Sequence, residues 1–503
     1  MIFTDYVFEF SSKLEKTAVI DKREISYKEV YNDIKNIASI LKYKKFSKKD
    51  SVLLVSENSC FSIQCYFGIM KNGSVCIPVN PSVSSEEIKY IADILNIKLV
   101  FAQKKYKKKI EEVLSKEVEI YTENEVYDFI SSCDNNCYDN EVKAESISGN
   151  DTAVMIFTSG STSKPKGVML THNNLIHNTD SIIKYLSLTE EDRVEVVLPF
   201  YYCYGTSLLH THFRVGGSLV LNNRFMFPQT VIEDINKYKC TSFAGVPSTY
   251  QILLRMTNMK DTKFPSLRYI TQAGGKLANT FIKDLKGILK STDIYIMYGQ
   301  TEATARLSYL PPHLIEEKIG SIGKGIPGTE LKVLNKEGLP VKTGEIGEVV
   351  AKGKNIMKGY FNSKEETDAV LKNGYLYTGD LATVDKDEYI YIVSREKNII
   401  KSGGNRTSPK EIEDVIVQIP QVVECAVIGV YDDILGEAVK AFVVLKDNNT
   451  NIDAKFIKSF CKERLASYKV PQHIEFLKGL PKNSSGKVLI QKLKEMEKNK
   501  SGK

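Results

Sequence analysis

The chain has 503 residues, a formal net charge of +7, 42% hydrophobic and 26% charged side chains. That length calls for more than one domain, and the composition is that of an ordinary globular protein. The lysines are spread along the whole sequence, which argues against nucleic acid as a partner, because such a footprint clusters on one segment.

Taken in chain order, Val52 to Val55 is a short apolar run that predicts a buried strand. A helix follows from Cys60 to Lys71 and stops at Asn72-Gly73, and Val75 to Val79 is the next strand. Ser84 and Glu87 form a capping-box pattern. Behind them Ile88, Ile91, Ala92 and Leu95 keep the spacing of an amphipathic helix, and Lys98 to Ala102 returns to strand. Asn135 to Asn150 reads as a polar surface loop. Ala153 to Phe157 is again strand, as are Val194 to Leu198, Ser218 to Leu221, Phe243 to Val246 and Ile294 to Met297. Such alternation predicts mostly parallel sheets covered by helices.

From Ile322 to Ile392 the texture changes to short strands and glycine turns, which predicts a small β-rich subdomain. Beyond Ser394 it changes once more. Glu411 to Val417 and Phe456 to Leu465 read as helices, and Glu424 to Val430 with Ala438 to Leu445 as a strand pair. A compact α+β domain of about one hundred residues is expected at the C-terminus. The tail from Lys492 to Lys503 is expected to be disordered.

Nine cysteines show no framework, and the lone pair Cys133 and Cys137 falls short of the about four ligands that zinc requires. Free thiols point to a reducing compartment. With no signal-peptide pattern at Met1 to Phe10 and no run of the ~18 apolar residues a membrane span needs, a cytoplasmic protein without a transmembrane segment is expected.

Chemistry concentrates in five segments. Thr158-Ser159-Gly160-Ser161-Thr162-Ser163-Lys164-Pro165-Lys166-Gly167 follows a strand and is packed with hydroxyls, glycine and lysine. Small residues let backbone N–H groups approach anionic oxygens, and hydroxyls and ammonium groups add to the cradle. Its spacing does not fit G-x-x-x-x-G-K-[ST]. Tyr298-Gly299-Gln300-Thr301-Glu302-Ala303 follows the strand at Ile294, and ligands bind at the carboxyl ends of strands in open α/β sheets. Glu302 suits Mg²⁺, a hard cation that takes carboxylate together with phosphate oxygens. Tyr377-Thr378-Gly379-Asp380 offers a carboxylate suited to ribose hydroxyls. Ser394-Arg395-Glu396-Lys397 lies at the domain boundary, and Pro481 to Lys487 places a lysine on a glycine turn.

In this order and at these separations the segments resemble the adenylate-forming superfamily of acyl-CoA synthetases, stand-alone adenylation domains and luciferases, over nearly the whole chain from Val52 to Lys487. The resemblance implies an α/β fold: a large N-terminal adenylation domain, residues 1–394, including a β-rich subdomain at about 322–393, and a small mobile α+β domain, residues 395–503. It implies an acid–thiol ligase that uses ATP and Mg²⁺ to form an acyl-adenylate, releases pyrophosphate, and passes the acyl group to CoA or a phosphopantetheine thiol. Under it Thr158, Ser159, Gly160, Ser161, Thr162 and Lys166 hold the β- and γ-phosphates, with Thr158 and Glu302 at the metal. Ala273, Gly274 and Gly275 contact the adenine and Tyr298 stacks on it. Thr301 touches the α-phosphate, and Asp380 and Arg395 hold the ribose. Lys397 is the hinge, Gly403 and Gly404 line the thiol tunnel, and Lys487 bridges the acid carboxylate and the α-phosphate. The chain departs from the family pattern at Ser163, Ser394 and Asn398, none of which removes a charged catalytic group.

Tyr201 and Tyr202 align with the segment that reaches the acid pocket, and many members carry histidine where Tyr202 stands. Amino-acid-activating relatives carry an aspartate in this region for the substrate ammonium. Here no acidic residue occurs between Glu195 and Glu233, and a buried ammonium without a counter-charge is costly. A fatty or aromatic carboxylic acid is therefore expected, with a fatty-acid–CoA ligase as the first reading. The alternatives are an aryl-acid ligase or a carrier-protein-specific acyl-AMP ligase of secondary metabolism, partnered by an acyl or peptidyl carrier protein. A non-catalytic nucleotide- or acyl-binding regulator would not need Lys166, Glu302 and Lys487 together.

Overall fold

The computed structural model describes all residues except 49, 133–146, 159–164, 396–397, 447–451, 484–485 and 502–503. Cys133, Cys137 and most of the expected loop at 135–150 therefore lie outside the described residues. Two large sheets form the N-terminal part. One has seven strands, with Ser51–Val55, Val75–Val79, Leu99–Ala102 and Glu119–Tyr121 parallel at its centre and one end. The other has nine, with Arg193–Val196, Ser218–Leu221, Ser242–Gly245, Tyr269–Gln272 and Asp293–Tyr298 parallel. Val75–Val79 is buried at every position, as expected of a parallel strand covered on both faces. The antiparallel pairs sit at the edges, where Asp293–Tyr298 turns back through Ser308–Leu310.

Helices cover these sheets where apolar spacing and caps coincide. Ser84 accepts from the Glu87 N–H and starts helix Ser85–Leu95, which buries Ile88, Ile91 and Ala92. Helix Tyr27–Tyr43, entered through a reciprocal Ser26–Glu29 capping box, packs on helix Cys60–Asn72. The β-rich unit is wholly antiparallel: Thr329–Leu334, Gly347–Gly353, Tyr375–Val384 and Ile390–Arg395 pair in sequence. A separate five-stranded sheet, built on Val422–Asp432 and Gly436–Leu445, carries the C-terminal part.

The tail corrects one expectation. Ile490–Ser501 is helical rather than disordered. Leu493 is fully buried against Ala426, Ile428 and Phe442, and Lys440 pairs with Glu497 at 2.7 Å. Leu493, with Ile490 and Met496 packed beside it, and ion pairs of Glu497 and Lys500 dock a segment whose composition alone reads as solvated. No helix among the described residues is long and apolar enough to cross a membrane. The described cysteines are free thiols.

Candidate active site

The two strands that flank the hydroxyl-rich segment pair with each other. Thr152–Thr158 pairs antiparallel with Lys166–Thr171, and Thr158 stands opposite Lys166. This puts a hydroxyl and an ammonium at the base of the loop. Ser159, Gly160, Ser161 and Thr162 lie outside the described residues. Lys166 Nζ pairs with Glu366 at 2.5 Å and lies over the ring of Tyr360. The Tyr360 hydroxyl donates to Glu302 Oε1 at 2.9 Å. Burial, then the Glu302 carboxylate, pushes the Tyr360 phenol well up, so it stays a donor. Lys166, Tyr360 and Glu302 thus form one chain that leads from the hairpin to the end of strand Asp293–Tyr298.

At that strand end Tyr298 donates to Asp380 Oδ2 at 2.7 Å, and Arg395 Nε donates to Asp380 Oδ1 at 2.9 Å. Register explains the second contact: Asp380 and Arg395 are cross-strand partners. Each carboxylate oxygen keeps a lone pair for a further donor. Thr301–Ala303 is a single 3₁₀ turn, and the Thr301 hydroxyl lies 3.6 Å from Cys203 Sγ. Gly299 is required here, because a Cβ on it would stand 1.9 Å from the Ala305 carbonyl oxygen.

Lys487 arrives from the other domain. Asn483 closes the turn that carries it, accepting from the Lys487 N–H at 2.9 Å and donating its own N–H to the Lys487 carbonyl at 2.8 Å. The turn is seated on the large domain through Ser248 Oγ, which donates to the Gly486 carbonyl at 2.6 Å. Asn483 Nδ2 donates to the Tyr202 hydroxyl at 2.9 Å. A cavity of about 420 Å³ opens between the domains, with Gly274, Gly275, Tyr298, Asp380, Arg395 and Lys487 in its wall. Lys487 counts as exposed because it faces this cavity, yet protein from both domains encloses it. That desolvation holds its ammonium below the usual lysine range, opposed by Cys203, Glu302 and Asp380.

Ala273 is buried at the end of strand Tyr269–Gln272. Gly403 and Gly404 form the exposed turn between Ile400–Ser402 and Asn405–Thr407, tied by the Gly403 N–H to the Leu435 carbonyl at 2.9 Å. The structure does not bring this turn into the Lys487 cleft wall. Lys397 lies outside the described residues. Tyr201 and Tyr202 stack obliquely, with ring centroids 5.5 Å apart. Sequence reasoning missed Cys203, Ser248, Asn483 and Tyr360. The contacts of Cys203, Ser248 and Tyr360, and the Asn483 bond to Tyr202, are long-range pairings that no local pattern signals.

Residues 10–361 match the family described as AMP-binding enzyme, and residues 411–487 match the AMP-binding enzyme C-terminal domain. The chain is 30% identical to the long-chain-fatty-acid–CoA ligase of Bacillus subtilis (strain 168), over 99% of this chain and 94% of the relative. It is 29% identical to the 2-succinylbenzoate–CoA ligase of the same organism, over 96% of each. Among solved structures it superposes on the anthranilate CoA ligase AuaEII in complex with anthranoyl-AMP with a TM-score of 0.92, at 26% identity, covering 100% of this chain and 98% of that one. The o-succinylbenzoate CoA synthetase MenE from Bacillus subtilis, in complex with ATP and magnesium ion, gives 0.84 at 28% identity, covering 98% and 99%.

The seat of the lysine makes a local prediction. Gly274 has φ +85°, and a Cβ there would meet Lys487 Cε at 3.0 Å and Val246 Cγ1 at 3.1 Å. Gly274→Ala is expected to unseat the turn and speed tryptic cleavage after Lys487 by about tenfold, an opening shift of about 1.4 kcal/mol. An unchanged cleavage rate would show that the turn does not depend on this contact.

Proposed function

We propose that this chain, which belongs to the AMP-binding enzyme family, is an acid–thiol ligase that activates a carboxylic acid with ATP and transfers the acyl group to CoA. The observation that carries the reading is Lys487, brought from the small domain into a cleft that already holds Tyr298, Asp380 and Arg395. In the first step a carboxylate oxygen attacks the α-phosphorus of ATP and the bond to pyrophosphate breaks. Two anions must meet at one phosphorus, and a preorganised cation there offsets their repulsion. In the second step the thiol sulfur attacks the acyl carbonyl, AMP leaves, and the thiol proton passes to solvent.

The division at 394/395, the phosphate loop from Thr158 to Lys166, the adenine turn Ala273 to Gly275, and ribose at Asp380 and Arg395 are all part of this proposal. Each cavity wall supplies the chemistry its ligand needs. Asp380 presents free lone pairs to two hydroxyls, and Ile322 and Ile392 in the same wall offer apolar surface to a base. For magnesium the donor set fits in a restricted way. Among the described residues no group of three or more His, Cys, Asp or Glu gathers as a metal cage. A Mg²⁺ ion held largely by substrate phosphates needs one or two protein oxygens, and Glu302 with Thr158 meets that requirement. Bound there, the ion would neutralise phosphate charge.

Fatty and aryl acids are the two classes expected, and relatives of both kinds are known by name. The packing behind Cys203 favours the compact class. The voids beside helix Cys203–Val215 are about 10 Å³ each, room for about one water apiece. A panel of acids assayed for pyrophosphate release, with and without CoA, separates the two classes.

Three outcomes are expected. Lys487→Ala lowers acyl-adenylate formation by roughly two orders of magnitude, about 3 kcal/mol of barrier. It spares thioester formation from a supplied acyl-adenylate, and equal losses in both steps would refute the role. Glu302→Gln weakens the Mg²⁺ dependence of turnover without a change in melting temperature, and an unaltered Mg²⁺ titration would remove Glu302 from the metal. Lys397→Pro, which fixes φ at the expected hinge and removes an N–H, keeps adenylation and loses most thioester formation. Full transfer by that variant would rule out a hinge at this position.

A further inference from the structure

Arg306 is 2% exposed, and among the described residues no carboxylate lies within ion-pair distance of it. Its Nε donates to Met297 Sδ at 3.3 Å and its Nη2 reaches Ser207 Oγ at 3.4 Å. The guanidinium otherwise lies over the ring of Tyr204, 4.0 Å from its centroid. The Tyr185 hydroxyl also interacts with it, so a thioether, two hydroxyls and a ring face, all uncharged, are the partners of five N–H donors and a full charge. Burying a charge is costly unless it is paired and hydrogen-bonded. The backbone does not let the residue retreat, because the Arg306 carbonyl accepts from Asn178 Nδ2 at 3.1 Å and from Asn355 Nδ2 at 2.9 Å.

The surroundings connect this charge to the reaction centre. Cys203, at the start of helix Cys203–Val215, touches Thr301. One small void is lined by Cys203, Thr206, Ser207 and Ala305, and a second by Ser207, Thr211, Thr271 and Arg306. Ser207 borders both. Ser207 therefore links the guanidinium to the helix whose first residue, Cys203, touches Thr301. Cys203 and Ser207 are four residues apart on one helix, a rise of about 6 Å. That is the scale of a short or aromatic diacid, not of a long hydrocarbon chain.

We propose that Arg306 is a specificity residue that pairs with a second carboxylate on the acid substrate, so that the enzyme activates one carboxyl of a compact dicarboxylic acid. This rests on the ligase reading above and narrows its substrate class. The planar fork of arginine matches a carboxylate with two parallel hydrogen bonds. A monocarboxylic acid of the same shape would leave the buried charge unpaired, and sites built around a buried polar group reject analogues that lack the partner.

The test compares matched pairs, succinate with butyrate, adipate with hexanoate and isophthalate with benzoate, alongside long-chain fatty acids. Pyrophosphate release is read on the wild-type enzyme and on Arg306→Met and Arg306→Gln. A rise in melting temperature on adding ATP shows that each variant is folded. The wild type is expected to prefer the diacid of at least one pair by tenfold or more in kcat/KM. In the variants that ratio is expected to fall by about 100-fold, carried mainly in KM. A wild type that prefers every monocarboxylate overturns the inference and leaves the ligase reading intact. So does a pair of folded variants that lose both members equally. Silence with every acid in the panel overturns the ligase reading itself, and the inference with it.

Discussion

In the mechanism we propose, an ammonium group on one domain has to stand where two anions from different substrates collide, and it has to leave again before a thiol can reach the same carbon. The rest of the structure follows from that requirement. The large domain supplies a cleft whose fixed groups come from strand ends and register: Tyr298 ends a parallel strand, and Asp380 and Arg395 face one another across an antiparallel pair. The small domain supplies the cation on a turn that Asn483 closes from both sides. Gly274 lacks a side chain where the lysine stem passes. An anion-seeking lysine held in such a place is partly desolvated, and its lowered proton affinity is the cost of holding it ready before the substrates arrive.

Much of this was legible in the residues. Buried parallel strands are continuous apolar runs, so Val75–Val79 and Ser218–Leu221 were readable to the residue. The Ser84 cap announced its helix because capping is local chemistry. The β-rich stretch was legible as glycine turns between short runs. Contacts made at long range were not legible. The hairpin that presents Thr158 to Lys166 reads as a strand followed by an irregular loop. The C-terminal helix has the composition of a solvated tail, and it takes the packing of Leu493 to fix it.

Arg306 marks the limit more sharply. Reading Tyr201 to Gly205 for a missing aspartate correctly asks which charge the acid pocket presents. The answer lies a hundred residues later in the chain, on the strand-end segment that also carries Thr301. A sequence shows that an arginine exists, and only packing shows that it is buried without a carboxylate partner among the described residues. The search for an absent negative charge therefore found none, while the positive charge that bears on the same pocket had no local signature.

The ties that hold the domains together suit a joint that must open. Lys276 and Asp414 pair at 2.9 Å with both side chains partly exposed, a class of ion pair worth under about 1 kcal/mol. The hydrogen bonds from Ser248 to Gly486 and from Asn483 to Tyr202 each add about 1 kcal/mol net. Together these contacts fall below the ~5.5 kcal/mol that separates a 99:1 population from its reverse. In the mechanism we propose, adenylation turns the carboxylate that Lys487 faces into an uncharged acyl group and releases pyrophosphate, so the negative charge that holds the small domain falls. Polar contacts of this kind can close on charge and loosen when the charge falls, while Leu277 and Ile282 of the large domain share one apolar cluster with Ile412 and Ile416 of the small one. In the mechanism we propose, the weakness of the polar contacts across the joint is a physical condition that lets one cleft serve two successive half-reactions.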